Sequence, residues 1–118
     1  MGIPDNGRYL SLEREKTMKP VKITVVKRTF QKDVADAYAV KGLGLCELCK
    51  EGDEYVSNGW EKPEGLCESA WQSMSHFVFA LSHGGEGFLK DWMKEKNSAV
   101  ISCNDGCRPV IFHLERMD

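Results

Sequence analysis

Apolar and polar positions alternate along residues 21–28, where Val21, Ile23 and Val25 share one side at a spacing of two. That period predicts a half-buried strand. Directly afterwards the period lengthens. Thr29 is placed to cap a short helix with Phe30, Val34, Ala37 and Tyr38 at helical spacing, and Gly42 and Gly44 stop it. A turn-rich stretch from Leu45 to Asp53 leads into a short strand at Glu54-Tyr55-Val56-Ser57, with Asn58-Gly59 and Pro63-Glu64-Gly65 as the following turns. The most extended helical pattern covers roughly 67–83. There Cys67, Ala70, Trp71, Met74, Phe77, Val78 and Leu81 form one seam, and Gly84-Gly85 ends it. A second short helix is expected over roughly 88–96, with Phe88, Trp92 and Met93 on one side.

Ala99 to Cys103 and the run ending near Arg116 read as the two arms of a hairpin. Val110, Phe112 and Leu114 face one way, Ile111 and His113 the other. Asn104-Asp105-Gly106 supplies the turn, since these residues tolerate the positive φ of a tight hairpin. Pro109 has no N–H to donate, which predicts an edge or a bulge where the second arm starts. The elements add up to an α+β domain over residues 20–118. It has a mostly antiparallel sheet with a C-terminal hairpin, one face covered by a long amphipathic helix with shorter helices beside it. Residues 1–19, with the charged run Glu13-Arg14-Glu15-Lys16, read as a flexible N-terminal extension.

Composition narrows the function classes. In 118 residues, 42% apolar content is enough for one core. The net charge is −2 and the basic residues are scattered, which argues against a nucleic-acid surface. The apolar stretch Phe77-Val78-Phe79-Ala80-Leu81 is far shorter than the roughly 20 residues of a membrane span. Met1 to Lys19 has no apolar core of a secretory signal, so a cytoplasmic, reducing location is expected. There disulfides are uncommon, and the five cysteines are too odd a number to pair completely within one chain.

Those cysteines fall as Cys46-x2-Cys49, Cys67 and Cys103-x3-Cys107, at the ends of predicted elements. Convergent thiolates would hold zinc or an iron–sulfur cluster, with Cys46, Cys49, Cys67, Cys103 and Cys107 as candidate ligands. A zinc ribbon repeats the x2 spacing, which the second pair only approximates, and the plainer alternative is that several of the five simply pack. Cys67, at a helix N-terminus that favours a thiolate, is a candidate nucleophile, with His76 or His113 as a base. Asp105 and Arg108 flank the hairpin tip and could bind an anionic ligand or cofactor, although Asp before Gly is also ordinary turn chemistry. His76 and His83 stand seven apart, where zinc pairs are usually four apart. Trp60, in a turn, and an edge strand near Pro109 are candidates for a protein partner or a second copy of the chain. Neither Gly42-Leu43-Gly44 nor Gly84-Gly85-Glu86-Gly87 matches a phosphate-cradling loop.

Several motifs stand in order: Cys46-Glu47-Leu48, Glu51-Gly52-Asp53-Glu54-Tyr55, Pro63-Glu64-Gly65-Leu66-Cys67 with Ala70-Trp71, Gly84-Gly85, and Cys103-Asn104-Asp105-Gly106 with Arg108-Pro109-Val110, Phe112 and Leu114-Glu115-Arg116. Together they resemble a family of small uncharacterised proteins found mainly in anaerobic bacteria and archaea. The likeness spans about Val21 to Met117. It implies an intracellular, anaerobe-type setting and supplies no activity. Cys46, Cys67 and Cys103 match the family's cysteine positions, whereas Cys49 stands where an aromatic is usual and Cys107 where an aliphatic is usual. The resemblance therefore implies a cluster of three cysteines.

Overall fold

A computed structural model of the chain describes residues 18–118. The expected N-terminal extension lies almost wholly outside them. Of its residues, Lys19 is fixed, its N–H donating to the Ser82 carbonyl at 3.0 Å. Among the described residues four strands, β1 (Val21–Arg28), β2 (Glu54–Ser57), β3 (Ser98–Ser102) and β4 (Val110–Arg116), form one antiparallel sheet in the order β2-β1-β4-β3. Two helices accompany it, α1 (Lys32–Tyr38) and α2 (Glu68–Ser82). The chain is thus α+β. No helix is long and apolar enough to cross a membrane among the described residues.

The period of two in β1 and β4 decides which side is dry. Val21, Ile23 and Val25 meet Leu114, Phe112 and Val110 on the inner face, all of them buried. Ala70, Met74, Val78 and Leu81, spaced by three and four along α2, are buried in the same core. Burying one such aliphatic side chain is worth about 1.5–3 kcal/mol, so this layer holds the sheet and α2 together. Arg116 ends β4 on that inner face and is only 7% exposed. It donates to the carbonyls of Leu81 (3.3 Å) and Gly85 (3.0 Å) and pairs with Glu86 and Asp118. A cation there adds a second donor to the Leu81 carbonyl, which already accepts from Gly84 N–H, satisfies the Gly85 carbonyl and suits the negative end of α2.

One irregularity in β1 reaches the candidate site. Val25 stands opposite Phe112 but Lys27 stands opposite Ile111, so Val26 is an extra, bulged residue, and it is 47% exposed. The insertion reverses the inward–outward phase. Arg28, outward-facing by simple alternation, instead stands opposite the buried Val110.

Four local expectations are corrected. Thr29 does not cap α1. Its hydroxyl and N–H both donate to the Pro109 carbonyl (2.6 and 2.8 Å), and α1 begins after Gln31 with Ala35 as its buried residue and Tyr38 86% exposed. Residues 88–96 form turns rather than a helix. Gly87 N–H donates to the Lys96 carbonyl across the segment, Leu89 is the residue that packs on the core, and Trp92 is 71% exposed. The connection between β3 and β4 runs from Cys103 to Pro109, and none of its residues, Gly106 included, has positive φ. Its bend is made instead by the Asp105 carboxylate, which accepts from the N–H groups of Cys107 (2.8 Å) and Arg108 (2.9 Å). Finally, Pro109 precedes a strand paired on both sides, so the start of β4 is no edge, and the bulge beside it lies in the partner strand β1; the edges are β2 and β3.

Candidate functional site

Three segments distant in sequence close over the end of the inner face. The first is the loop carrying Cys46 and Cys49. Its tail is sewn to β1, with Gly52 N–H donating to the Val25 carbonyl (2.8 Å) and Val25 N–H to the Asp53 carbonyl (2.9 Å). Arg28, turned inward by the bulge, donates from Nη1 to the Cys46 carbonyl at 3.0 Å. The second segment is the start of α2, where Cys67 occupies the N-cap position without a side-chain capping bond. The third is the β3–β4 connection. Cys103 N–H donates to the Val110 carbonyl (3.0 Å), and Asn104 Nδ2 donates to the Ser69 carbonyl (3.1 Å), tying the connection to the first turn of α2.

Between them lies a cavity of about 110 Å³ lined by Cys46, Cys49, Cys67 and Cys103, with Asp105 and Arg108 on the polar side and Leu48, Ala70, Val110 and Phe112 on the apolar side. Two of the sulfurs accept backbone hydrogen bonds. Leu48 N–H donates to Cys46 Sγ at 3.4 Å, and Val110 N–H donates to Cys103 Sγ at 3.3 Å. Donors aimed at sulfur stabilise a thiolate and are a recurrent means of tuning thiolate-held metals. All five cysteines are free thiols, and Cys49 is the buried one, 3% exposed. Burial pushes its thiol up to about 11, and the nearby Cys46, Cys67 and Cys103 and the Asp53 carboxylate push the same way. Tyr55 is raised as well, by burial first and then by Cys49 and Asp53. The cavity thus resists accumulating negative charge unless a cation enters with it.

The remaining predicted site residues are placed as follows. Cys107 does not line the cavity, and its carbonyl accepts from Gln31 N–H (2.8 Å) at the start of α1. Asp105 holds the Arg108 Nε at 2.9 Å, and the Arg108 backbone N–H, the guanidinium and the Cys107 N–H keep its carboxyl below the usual range. His113 stands between Thr24 and Val100 on the outer face of the sheet, away from Phe112 and the thiols. His76 lies against Phe77. No hydrogen bond joins either histidine to Cys67 among the described residues, so the site holds no positioned base for that thiol. His83 stacks on Phe79 at 4.2 Å, and Trp60, half exposed, meets both rings edge-on. Among the described residues, no three His, Cys, Asp or Glu side chains are arranged to hold a metal ion as they stand.

Arg28 and Asn104 shape the site without any mark in the sequence. A bulge has no reliable signature in an unbroken Val-Val-Lys-Arg run, and without it Arg28 falls on the wrong side. No family model, curated protein or solved structure matches this chain.

Proposed function

We propose that this protein is a small binding protein that takes up a soft metal, zinc or an iron–sulfur cluster, through Cys46, Cys49, Cys67 and Cys103. The observation that carries the reading is the convergence of these four cysteines on one cavity, with backbone N–H groups directed at Cys46 and Cys103. Four sulfur donors suit zinc or iron–sulfur clusters and suit hard cations poorly. Binding would draw the sulfurs together and would expel the Cys49 thiol proton that burial now retains. The role is structural or electron-related, in a reducing, cytoplasmic setting. The coincidence of Cys46, Cys67 and Cys103 with the positions singled out by the motif resemblance supports that setting.

Metal analysis of protein purified without oxygen tests the proposal. Stoichiometric zinc or iron, lost on serine substitution at Cys46, Cys49, Cys67 or Cys103 and retained in Cys107→Ser, is the expected result. Sub-stoichiometric zinc and iron would sink it. The runner-up is an enzyme with Cys67 as nucleophile, favoured by its uncapped, half-buried place at the start of α2. One thiol reacting far faster than the rest near neutral pH would favour that reading, whereas joint protection of several favours the metal.

A further inference from the structure

Beside the thiol cavity runs a wider groove of about 420 Å³, lined by Arg28, Gly42, Leu43, Gly44, Leu45, Glu47 and Arg108. Arg108 lines both spaces, and Arg28 touches the wall between them through the Cys46 carbonyl. The geometry points to this groove as a binding subsite for a small organic carboxylate, clasped by the guanidinium groups of Arg28 and Arg108.

The two arginines are held but not used up. Asp105 engages Arg108 through Nε alone, in a one-point contact at 2.9 Å, which leaves both terminal amino groups without a protein partner among the described residues. Arg28 spends one terminal nitrogen on Cys46. Its Nε makes no hydrogen bond and is 3.6 Å from Glu51, and its other terminal nitrogen is unpaired among the described residues. Planar guanidinium forks fixed at one point are prepared for a two-oxygen, planar acceptor, which a carboxylate is.

The facing backbone is also suited to a close ligand. A Cβ added at Gly44 would meet nothing within 4 Å, and its φ lies outside the range that demands glycine. The backbone at Gly44 therefore leaves open space beside the arginines. Glu47 is the opposing charge in the groove, Glu51 and Asp105 the others in contact with the arginines. They limit the site to a weakly charged anion and make Glu47 a brake on affinity. A molecule anchored at Arg108 lies at the border of the thiol cavity, whose lining Arg108 shares. The subsite stands on the arginines and the glycine wall, independently of whether a metal is bound.

Titration of the full chain with acetate at constant ionic strength, followed by amide NMR, tests the inference. Saturable shifts are expected at Gly42, Gly44 and Arg108. Arg108→Lys, which keeps the charge but removes the fork, should weaken binding about tenfold. Glu47→Gln, an exposed change that leaves the fold intact, should tighten it roughly threefold. Non-saturable shifts, equal affinity in both variants, or saturation by inorganic phosphate but not by acetate would each overturn the assignment.

Discussion

Cys49 is the most enclosed of the cavity thiols, and its proton is held by burial and by its neighbours rather than by a hydrogen bond. Because its folded pKa is raised to about 11, the neutral thiol contributes stability that is intact at lower pH. That contribution is lost as pH climbs from the ordinary thiol range through the raised value. Thermal denaturation should therefore show a melting temperature that falls between about pH 9 and pH 11, and Cys49→Ala should flatten that slope. Gly59 gives a second single-residue prediction. It has φ +102°, and a Cβ there would collide with the Ser82 side chain at the end of α2. Gly59→Ala should cost about 1–3 kcal/mol in denaturant unfolding, the sum of a strained backbone and a forced repacking.

At the level of elements, β1 does more than fill the core. Removing Val26 would give plain alternation with the same partners, Lys27 opposite Ile111 and Arg28 opposite Val110, so Arg28 would stay on the inner face. The deletion should keep the sheet, by circular dichroism, and slow amide exchange over residues 46–49, whereas Arg28→Ala should lose the contact to the Cys46 loop, seen as faster exchange there. At the other end of the inner face, Arg116→Ala should destabilise the fold by about 2–3 kcal/mol, since the carbonyls of Leu81 and Gly85 would lose their buried donor. Its partners Glu86 and Asp118 are held below the usual carboxylate range, chiefly by hydrogen bonds from Arg116. Their contribution is therefore present at neutral pH and lost as pH falls through those lowered values.

These elements also show where pattern reading works and where it stops. Strict alternation in Val21-Lys22-Ile23-Thr24-Val25 leaves a strand as the natural solution, and the seam from Ala70 to Leu81 fits α2 equally well. The stretch Phe88 to Met93 has helical spacing too, but nothing in spacing reveals that Gly87 and Lys96 close a loop instead. Asp105-Gly106 carries a turn signal whose usual meaning, positive φ, is replaced here by a carboxylate gripping two amides. For the thiols, Cys46-x2-Cys49 is legible as a local pair. That Cys67 and Cys103 meet it, and that Cys107 stays outside the cavity, depends on sheet order, which no short-range pattern contains.

Over the whole molecule, β1 and β4 are the two strands paired on both sides, with α2 packed against them. Amide hydrogen exchange should be slowest in Val21–Val25 and Val110–Leu114 and markedly faster across 39–47 and 84–97, where backbone bonds are few and local. Equal protection throughout would contradict this topology. The walls of the thiol cavity, by contrast, are drawn from 46–49, 67–70 and 103–112, and no contiguous piece of the chain contains more than a fragment of it. A polypeptide still emerging from the ribosome can present an ion with Cys46, Cys49 and the start of α2 at Cys67, without Cys103. Cys103 joins them only when β4 has been synthesised and has met β1. An ion held by all four sulfurs would therefore be acquired only after β4 has met β1, and the four thiols would have to stay reduced until then.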